Sequence, residues 1–323
     1  RALKADPTDR HATKLRDATK AFADRPVRQL LPARQKHLRQ VTALRTDFPH
    51  FGALIDQVLQ DLQLLVAGRA PLALSPMLLV GPPGIGKTAF ILRLAAALDL
   101  DNAFVSIGGV SAGWVLKGNH GTWAAAQMGT IAEKLRLLPD GRGLMLQLDE
   151  LDKVFSGARS SPIEPVLLEL LEPLQSERFQ DEYLGITLNL KSMISVLATA
   201  NHLDSISAAV LSRMRVVRLS APTRDQMPAV VRSVDLTLRA ERPELKRLFQ
   251  PLDEAVLASL TATPPRALRQ LLLSAYSLAV AQPASRQKRR VRTLEIESAT
   301  RHLKAGSAEV DRVTSFLVSE LRH

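Results

Sequence analysis

One short segment of the chain combines the residue types that bind the phosphates of a nucleotide. It consists of Gly81, Pro82, Pro83, Gly84, Ile85, Gly86, Lys87 and Thr88, with Ala89 continuing into a helical pattern. The glycines allow backbone N–H groups to turn toward phosphate oxygens, and a helix N-terminus adds positive potential. In this pattern the lysine reaches the β- and γ-phosphates and the hydroxyl ligates Mg²⁺. The segment predicts binding of ATP and Mg²⁺. A chance glycine-rich turn is disfavoured, because an apolar run precedes the segment and a helical pattern follows it.

An acidic pair follows the apolar run of residues 144–148. The pair is Asp149 and Glu150. Beside a phosphate loop, the first carboxylate is expected to hold Mg²⁺ or its water shell. The second is expected to polarise the attacking water as a general base. Two acids at the surface end of a strand are the alternative, which the neighbouring phosphate loop disfavours.

Three further polar residues occur in the order expected for γ-phosphate chemistry. Asn201 ends another apolar run, where a neutral amide can orient water or the γ-phosphate. Arg213, with Arg215 as the alternative, precedes the next run and suits a charge supplied to a neighbouring subunit's γ-phosphate. Arg266, with Arg269 as the alternative, starts a later helical segment and is expected to report the nucleotide state. Solvated charges on helices are the alternative for these arginines.

Five short apolar runs alternate with helical patterns and must position these residues. They are residues 77–80, 103–107, 144–148, 194–198 and 216–219. This alternation predicts an α/β fold with a doubly wound, parallel five-stranded sheet covered on both faces. Such sheets bind ligands at the carboxyl ends of their strands. The phosphate loop, the acidic pair and the asparagine all follow strands, so we expect them to meet at one edge.

The chain divides by composition into four segments. Residues 1–70 are expected to form a basic helical extension, and residues 71–222 the nucleotide-binding α/β subdomain. Residues 223–305 read as a small helical subdomain with a short strand near 291–294 and a helix over 296–303. Residues 306–323 remain as a tail.

Composition excludes several classes of site. The 323 residues include no cysteine, which removes disulfides, cysteine-ligated zinc and thiol catalysis and suits a reducing, cytoplasmic setting. No uninterrupted apolar run of about 18 residues occurs, so no membrane span is expected. The net charge of +11 concentrates in the first 50 residues and in residues 213–247 and 287–292. Solvated helix faces are favoured over a nucleic-acid surface, since no aromatic residues interleave with the basic clusters.

Beyond these features, residues 77–222 resemble the ATPase module of the Lon protease family, within the AAA+ class. The matching segments are Val105-Ser106-Ile107-Gly108-Gly109-Val110, Leu148-Asp149-Glu150-Leu151-Asp152-Lys153, Leu167-Leu168-Glu169-Leu170-Leu171-Glu172-Pro173, Phe179-Gln180-Asp181-Glu182-Tyr183-Leu184 and Ala198-Thr199-Ala200-Asn201. The phosphate loop alone indicates an NTPase, and these segments narrow the resemblance to this family.

The resemblance implies a homo-hexameric ring that pulls a polypeptide substrate through a central pore. The family's pore loop carries an aromatic residue after a glycine-rich basic stretch, and residues 117–123 match it. Trp123 would then grip the substrate, with burial in the core as the alternative. Phe155 is a weaker candidate for a second pore loop.

The resemblance does not extend to the proteolytic domain with its Ser–Lys dyad, and Pro265 stands where the family has a glycine-led turn. The chain, which starts at Arg1, is either a fragment or a stand-alone ATPase. The favoured function is ATP-driven remodelling, unfolding or translocation of protein, with a protease or other effector acting in trans. A nucleic-acid-associated AAA+ ATPase is the alternative. A nucleotide-gated scaffold is the third candidate function, which the intact acidic pair disfavours.

Overall fold

A computed structural model describes residues 10–107, 113–120, 126–154, 163–281 and 288–303. The fold divides into two compact units. The first unit comprises the described residues up to Arg45, together with Phe51–Pro82 and Lys87–Ser220. The second unit comprises Thr46–His50, Pro83–Gly86 and the described residues from Ala221 onward.

A parallel five-stranded sheet forms the centre of the first unit. In chain order, the seven strands of the described chain are β1 (Met77–Val80), β2 (Asp101–Ser106), β3 (Leu144–Asp149), β4 (Phe179–Asp181), β5 (Ile186–Leu188), β6 (Ile194–Ala200) and β7 (Arg215–Arg218). The sheet has the order β2-β3-β6-β1-β7, and all four pairings are parallel. The predicted α/β fold and its five parallel strands are therefore confirmed.

Burial explains why these five runs form a covered sheet. Every residue of β1 and β6 is buried, whereas the edge strands β2 and β7 also contain exposed positions. Central parallel strands are apolar on both faces because helices cover both faces. The parallel pairing brings the ends of β3, β6 and β1 to one edge.

The helices up to residue 211 surround the sheet or precede it. They are α1 (Arg10–Ala23), α2 (Gln35–Asp47), α3 (Gly52–Ala67), α4 (Lys87–Ala97), α5 (Trp114–Lys117), α6 (Thr130–Leu137), α7 (Leu151–Val154), α8 (Ile163–Leu171), α9 (Pro173–Ser176) and α10 (Ala208–Leu211). Between α2 and α3, Pro49–Phe51 form a 3-10 turn. No described helix has the length and apolar character needed to cross a membrane.

An antiparallel hairpin of β4 and β5 lies outside the five-stranded sheet and was not anticipated from the sequence. Each strand has three residues, and Gly185 takes a positive φ of 62° in the turn between them. Strands this short carry no readable apolar periodicity, which is why sequence patterning missed them.

The second unit is mainly helical where the structure describes it. It contains α11 (Met227–Glu241), α12 (Pro243–Leu248), α13 (Glu254–Ser259), α14 (Pro265–Val280) and a helix over residues 293–303, here α15. The predicted short strand near residues 291–294 is wrong. A single β-bridge joins Phe249 and Arg289 instead, and α15 begins at residue 293. The Glu295 carboxylate accepts the Arg292 N–H at 2.8 Å, a cap that favours a helix start.

A buried polar network stabilises the second unit. Arg239 Nε donates to Asp235 at 2.8 Å, and Arg239 Nη1 donates to the Phe249 carbonyl at 3.1 Å. The Tyr276 hydroxyl contacts both Arg239 and Asp235. All three side chains are buried. Burial, followed by the contact with Asp235, raises the pKa of Tyr276 well above its usual range.

We expect Arg239→Met to destabilise the second unit by about 3–5 kcal/mol, because it leaves the Asp235 carboxylate buried without its cation. The measurement is the urea midpoint of the second unit, followed by hydrogen exchange of residues 227–280. Arg232→Met is the matched control, since Arg232 pairs with Glu254 at 2.7 Å on the exposed surface. Such exposed pairs contribute about 0–1 kcal/mol. Equal effects of the two substitutions would contradict a stabilising role for the buried network.

Candidate active site

The phosphate-loop segment connects the end of β1 to the start of α4. The Gly81 N–H donates to the Ala200 carbonyl at 3.2 Å, which joins the loop to the end of β6. Gly84 and Gly86 adopt positive φ angles of 79° and 100°. L-residues with a Cβ rarely adopt this region, so these two positions require glycine.

Lys87 turns inward toward the loop that precedes it. Its Nζ donates to the carbonyls of Gly81 and Pro82 at 2.6 and 3.0 Å and to Asn201 Oδ1 at 3.0 Å. Burial lowers the pKa of the Lys87 ammonium, while the carboxylates of Asp152 and Asp149 act in the opposite direction. The structure therefore brings together Lys87 and Asn201, which are 114 positions apart.

Asp149 lies among hydroxyl groups. Its Oδ1 accepts from Thr88 Oγ1 at 3.2 Å and from Thr199 Oγ1 at 2.5 Å. Carboxylate and hydroxyl oxygens are the ligand types that Mg²⁺ prefers, and Mg²⁺ is commonly held by one or two protein oxygens together with substrate phosphates and water. The described residues contain no group of three or more His, Cys, Asp or Glu side chains suited to an all-protein metal cage. Thr88 and Asp149 thus fit a magnesium ion that is shared with a nucleotide.

Glu150 follows Asp149 with a positive φ of 59°, which is unusual for a residue other than glycine. Its N–H donates to Thr199 Oγ1 at 3.2 Å, and its carboxylate accepts from Lys153 Nζ at 2.5 Å. The carboxylate is partly exposed, so it is accessible to water. Sequence reasoning missed Thr199, whose hydroxyl contacts both acidic residues; a hydroxyl near the carboxyl end of an apolar strand was the available signal.

Asn201 is fixed by a residue that sequence reasoning did not assign to the site. Its backbone N–H donates to Asp152 Oδ2 at 3.1 Å, which leaves the side-chain amide directed to Lys87. The Ser205 hydroxyl donates to the Asp152 carbonyl at 2.7 Å. Asp152 is 8% exposed, and its Oδ1 has no hydrogen-bond partner among the described residues. Asp152 therefore holds the loop after β6 against α7.

Arg213 and Arg215 lie away from the edge that holds the acidic pair. Arg215 aligns with Met77, the first residue of β1, so both arginines are near the amino ends of the strands. Arg213 Nη1 donates to the Ala209 carbonyl at 2.9 Å, and its Nε lies 3.3 Å from Glu172. Arg215 pairs with Asp61 at 3.0 Å. The structure thus does not bring either arginine to the site of its own chain.

Arg266 and Arg269 both lie on α14 in the second unit, but they have different surroundings. A Cβ added to Gly84 would lie 2.6 Å from Arg266 Cβ, so the arginine packs directly against that glycine. Arg269 instead pairs with Glu241 at 2.5 Å. The packing favours Arg266 as the arginine associated with the phosphate-loop segment.

The two candidate pore-loop residues, Trp123 and Phe155, lie outside the described residues.

Comparison with known proteins identifies one family over the α/β part of the chain. Residues 77–221 match the family described as ATPase family associated with various cellular activities, AAA. This range begins with β1 and ends just after β7. It contains the phosphate loop, the acidic pair and Asn201.

Among curated proteins, the chain is similar to Lon proteases. It is 35% identical to Lon protease of Mycolicibacterium smegmatis over 198 residues, 61% of this chain and 25% of that protein. It is 30% identical to Lon protease of Erwinia amylovora over 262 residues, 80% of this chain and 32% of that protein. The chain thus spans about a quarter to a third of the length of these relatives. The predicted resemblance to Lon is confirmed.

A solved structure of Hsp104 with ATPγS and FITC casein has the same fold. Its TM-score is 0.64 at 17% identity, and the match covers 79% of this chain and 50% of that chain. At this identity the likeness concerns the fold alone.

Proposed function

Because residues 77–221 are an ATPase domain of the AAA family, related to that of Lon proteases, we propose that the chain couples Mg-ATP hydrolysis to unfolding or translocation of polypeptides. The observation that carries this proposal is the cluster of Lys87, Asp149 and Asn201 at one edge of the sheet. Contacts through Thr88 and Thr199 hold the cluster together.

The side chains have separate roles in the proposed reaction. Lys87 would leave the loop carbonyls to bind the β- and γ-phosphates. Thr88 and Asp149 would hold Mg²⁺, which would supply positive charge against the phosphates. Glu150 accepts a proton from the attacking water. For this step its carboxylate must leave Lys153, a contact between partly exposed groups that costs little to break.

Asn201 and Arg266 are proposed to report which nucleotide is bound. Support for the role of Asn201 comes from the contact of its amide with Lys87, the residue proposed to bind the γ-phosphate. Arg266 is the better placed of the two α14 arginines, because it packs against Gly84 of the phosphate loop.

We further propose a homo-hexameric ring in which Arg213 serves the nucleotide of the neighbouring subunit. Support comes from the position of Arg213 near the amino ends of the strands, away from its own acidic pair. Trp123 is the proposed polypeptide-contacting residue. A protease or other effector acting in trans is a further proposed partner.

The proposal is tested by steady-state ATPase activity with Mg²⁺, alone, with unfolded casein and with duplex DNA. We expect turnover that EDTA abolishes and that casein raises about two- to tenfold, since substrate contact shifts the ring toward its hydrolysing state. Stimulation by DNA alone, with steep salt dependence, would instead support the nucleic-acid alternative. The absence of stimulation by either would contradict both.

A further inference from the structure

The Asp152 carboxylate is a buried charge beside the candidate active site, and the proposed reaction gives it no part. Asp152 lies in α7 and is 8% exposed. Its Oδ2 accepts the Asn201 N–H at 3.1 Å, whereas its Oδ1 has no hydrogen-bond partner in the described part of the chain. Burial of a carboxylate is unfavourable unless hydrogen bonds or an opposite charge compensate for it. A single amide hydrogen bond compensates only in part, so a nearby cation is required.

Lys87 is a buried charge of the opposite sign. It is also 8% exposed, and its Nζ donates to three neutral oxygens, which are two carbonyls of the phosphate-loop segment and the side-chain oxygen of Asn201. Burial lowers the pKa of the Lys87 ammonium, and the Asp152 carboxylate opposes this more strongly than the Asp149 carboxylate does. Of these two carboxylates, Asp152 therefore contributes more to balancing the lysine charge.

Asn201 joins the two buried charges. Its side-chain oxygen accepts from Lys87 Nζ at 3.0 Å, while its backbone N–H donates to Asp152 Oδ2 at 3.1 Å. The Ser205 hydroxyl donates to the Asp152 backbone carbonyl at 2.7 Å, which attaches the turn after β6 to α7 a second time. The carboxylate and the ammonium are thus held near each other by the backbone of this turn.

Asp149, the other carboxylate that acts on Lys87, has different partners. The hydroxyls of Thr88 and Thr199 donate to it, and it is the proposed ligand of Mg²⁺. A bound metal would therefore balance the charge of Asp149 after Lys87 turns outward. Nothing in the proposed reaction does the same for Asp152, which would be left buried with one amide hydrogen bond.

We propose that Asp152 is the countercharge that holds Lys87 in its inward position, and that it thereby weakens nucleotide binding and speeds the release of ADP. The inference rests on the proposed function, in which Lys87 binds the phosphates. A nucleotide that binds Lys87 in its outward position must offset the loss of this charge pairing, and so binds more weakly. Asp152 acts through Lys87 and touches no phosphate, so it is a positioning residue.

Asp152→Asn removes the charge and keeps the shape of the side chain. The amide retains one oxygen that can accept the Asn201 N–H. Its NH₂ group takes the place of Oδ1, which accepts no hydrogen bond from the described residues. Asp204→Asn is the matched control, because Asp204 is an exposed residue of the turn after β6 and undergoes the same change.

The first measurement is the affinity and the dissociation rate of an ADP analogue with a fluorescent N-methylanthraniloyl group, in the presence of Mg²⁺. We expect Asp152→Asn to bind the analogue about tenfold more tightly than the wild type, a coupling usual for residues that share a partner. Slower dissociation should account for most of the change. Asp204→Asn should match the wild type. A purely structural role predicts unchanged or weaker binding by Asp152→Asn, and either result would overturn the inference.

The second measurement uses no nucleotide and tests the charge pairing itself. Asp152→Asn should lower the melting temperature of the nucleotide-free protein by about 2–4 °C, because Lys87 is left buried without its countercharge. In a Lys87→Met protein the same substitution should not lower the melting temperature, because it then removes an uncompensated carboxylate. Additive effects of the two substitutions would show that the charges do not interact, contrary to the inference.

The outcomes separate this inference from the proposed function. If the wild type does not bind the ADP analogue, the proposed function fails, and the inference fails with it. If the wild type binds and Asp152→Asn binds no more tightly, only the inference fails. If Asp152→Asn does not fold alone, folding of the double variant with Lys87→Met would demonstrate the pairing. Failure of that double variant to fold would reduce Asp152 to a folding role and overturn the inference.

Discussion

Replacing Glu150 by glutamine is expected to lower ATP turnover by about 10²–10⁴-fold while nucleotide binding is retained. An amide cannot accept the proton of the attacking water, but it has nearly the same shape as the carboxylate. The groups proposed to bind phosphates and magnesium, Lys87, Thr88 and Asp149, make no recorded side-chain contact with Glu150. Binding should therefore survive the loss of hydrolysis.

The measurements are steady-state turnover and the affinity for a fluorescent ATP analogue. Glu133→Gln on α6 is the control. It makes the same change from carboxylate to amide at an exposed position. Glu150→Gln also removes the contact with Lys153, so a thermal unfolding scan must show an intact fold. Near-normal turnover in a folded Glu150→Gln protein would reject Glu150 as the general base. The next candidate would be Asp152, whose carboxylate accepts the Asn201 N–H.

Replacing Arg213 by alanine is expected to lower turnover by about 10³–10⁵-fold, as for other arginines that stabilise the charge of phosphoryl transfer. The substitution leaves the phosphate loop and the acidic pair unchanged, because the recorded partners of Arg213 are Ala209 and Glu172. Affinity for ATP within one subunit should be preserved. Arg215→Ala tests the alternative arginine and should have the smaller effect, since Arg215 is engaged with Asp61.

Mixing the two inactive proteins distinguishes a charge supplied between subunits from one supplied within a subunit. A site formed by an Arg213→Ala subunit beside a Glu150→Gln subunit contains both an intact glutamate and an intact arginine. In a ring with head-to-tail contacts, random mixing at equal amounts would restore about one quarter of the sites. Recovery of activity on mixing is the expected outcome. Without recovery, despite exchange of subunits shown by a labelled partner, Arg213 could not act across an interface.

Local patterns of the sequence were sufficient for much of the fold and part of the site. The glycine spacing and the lysine of the phosphate loop, the acids after β3 and the asparagine after β6 are each set by neighbours within a few residues. The five apolar runs predicted the parallel sheet, because the central strands of such a sheet are covered on both faces and are continuously apolar. These features are local consequences of backbone geometry and burial, so one sequence reveals them.

The tertiary structure decided which distant residues share a contact. Thr199 meets Asp149 across 50 positions, Asp152 meets Asn201 across 49, and Asp181 meets Gly129 across 52. None of these pairs has a spacing signal, since strand order and the placement of the hairpin determine them. The choice between Arg266 and Arg269 also depended on the tertiary structure, because only the packing against Gly84 distinguishes Arg266. Sequence thus determined the chemical groups and the elements that carry them. Long-range packing determined which donor bonds to which acceptor, because a buried hydrogen bond forms wherever the fold brings the two together.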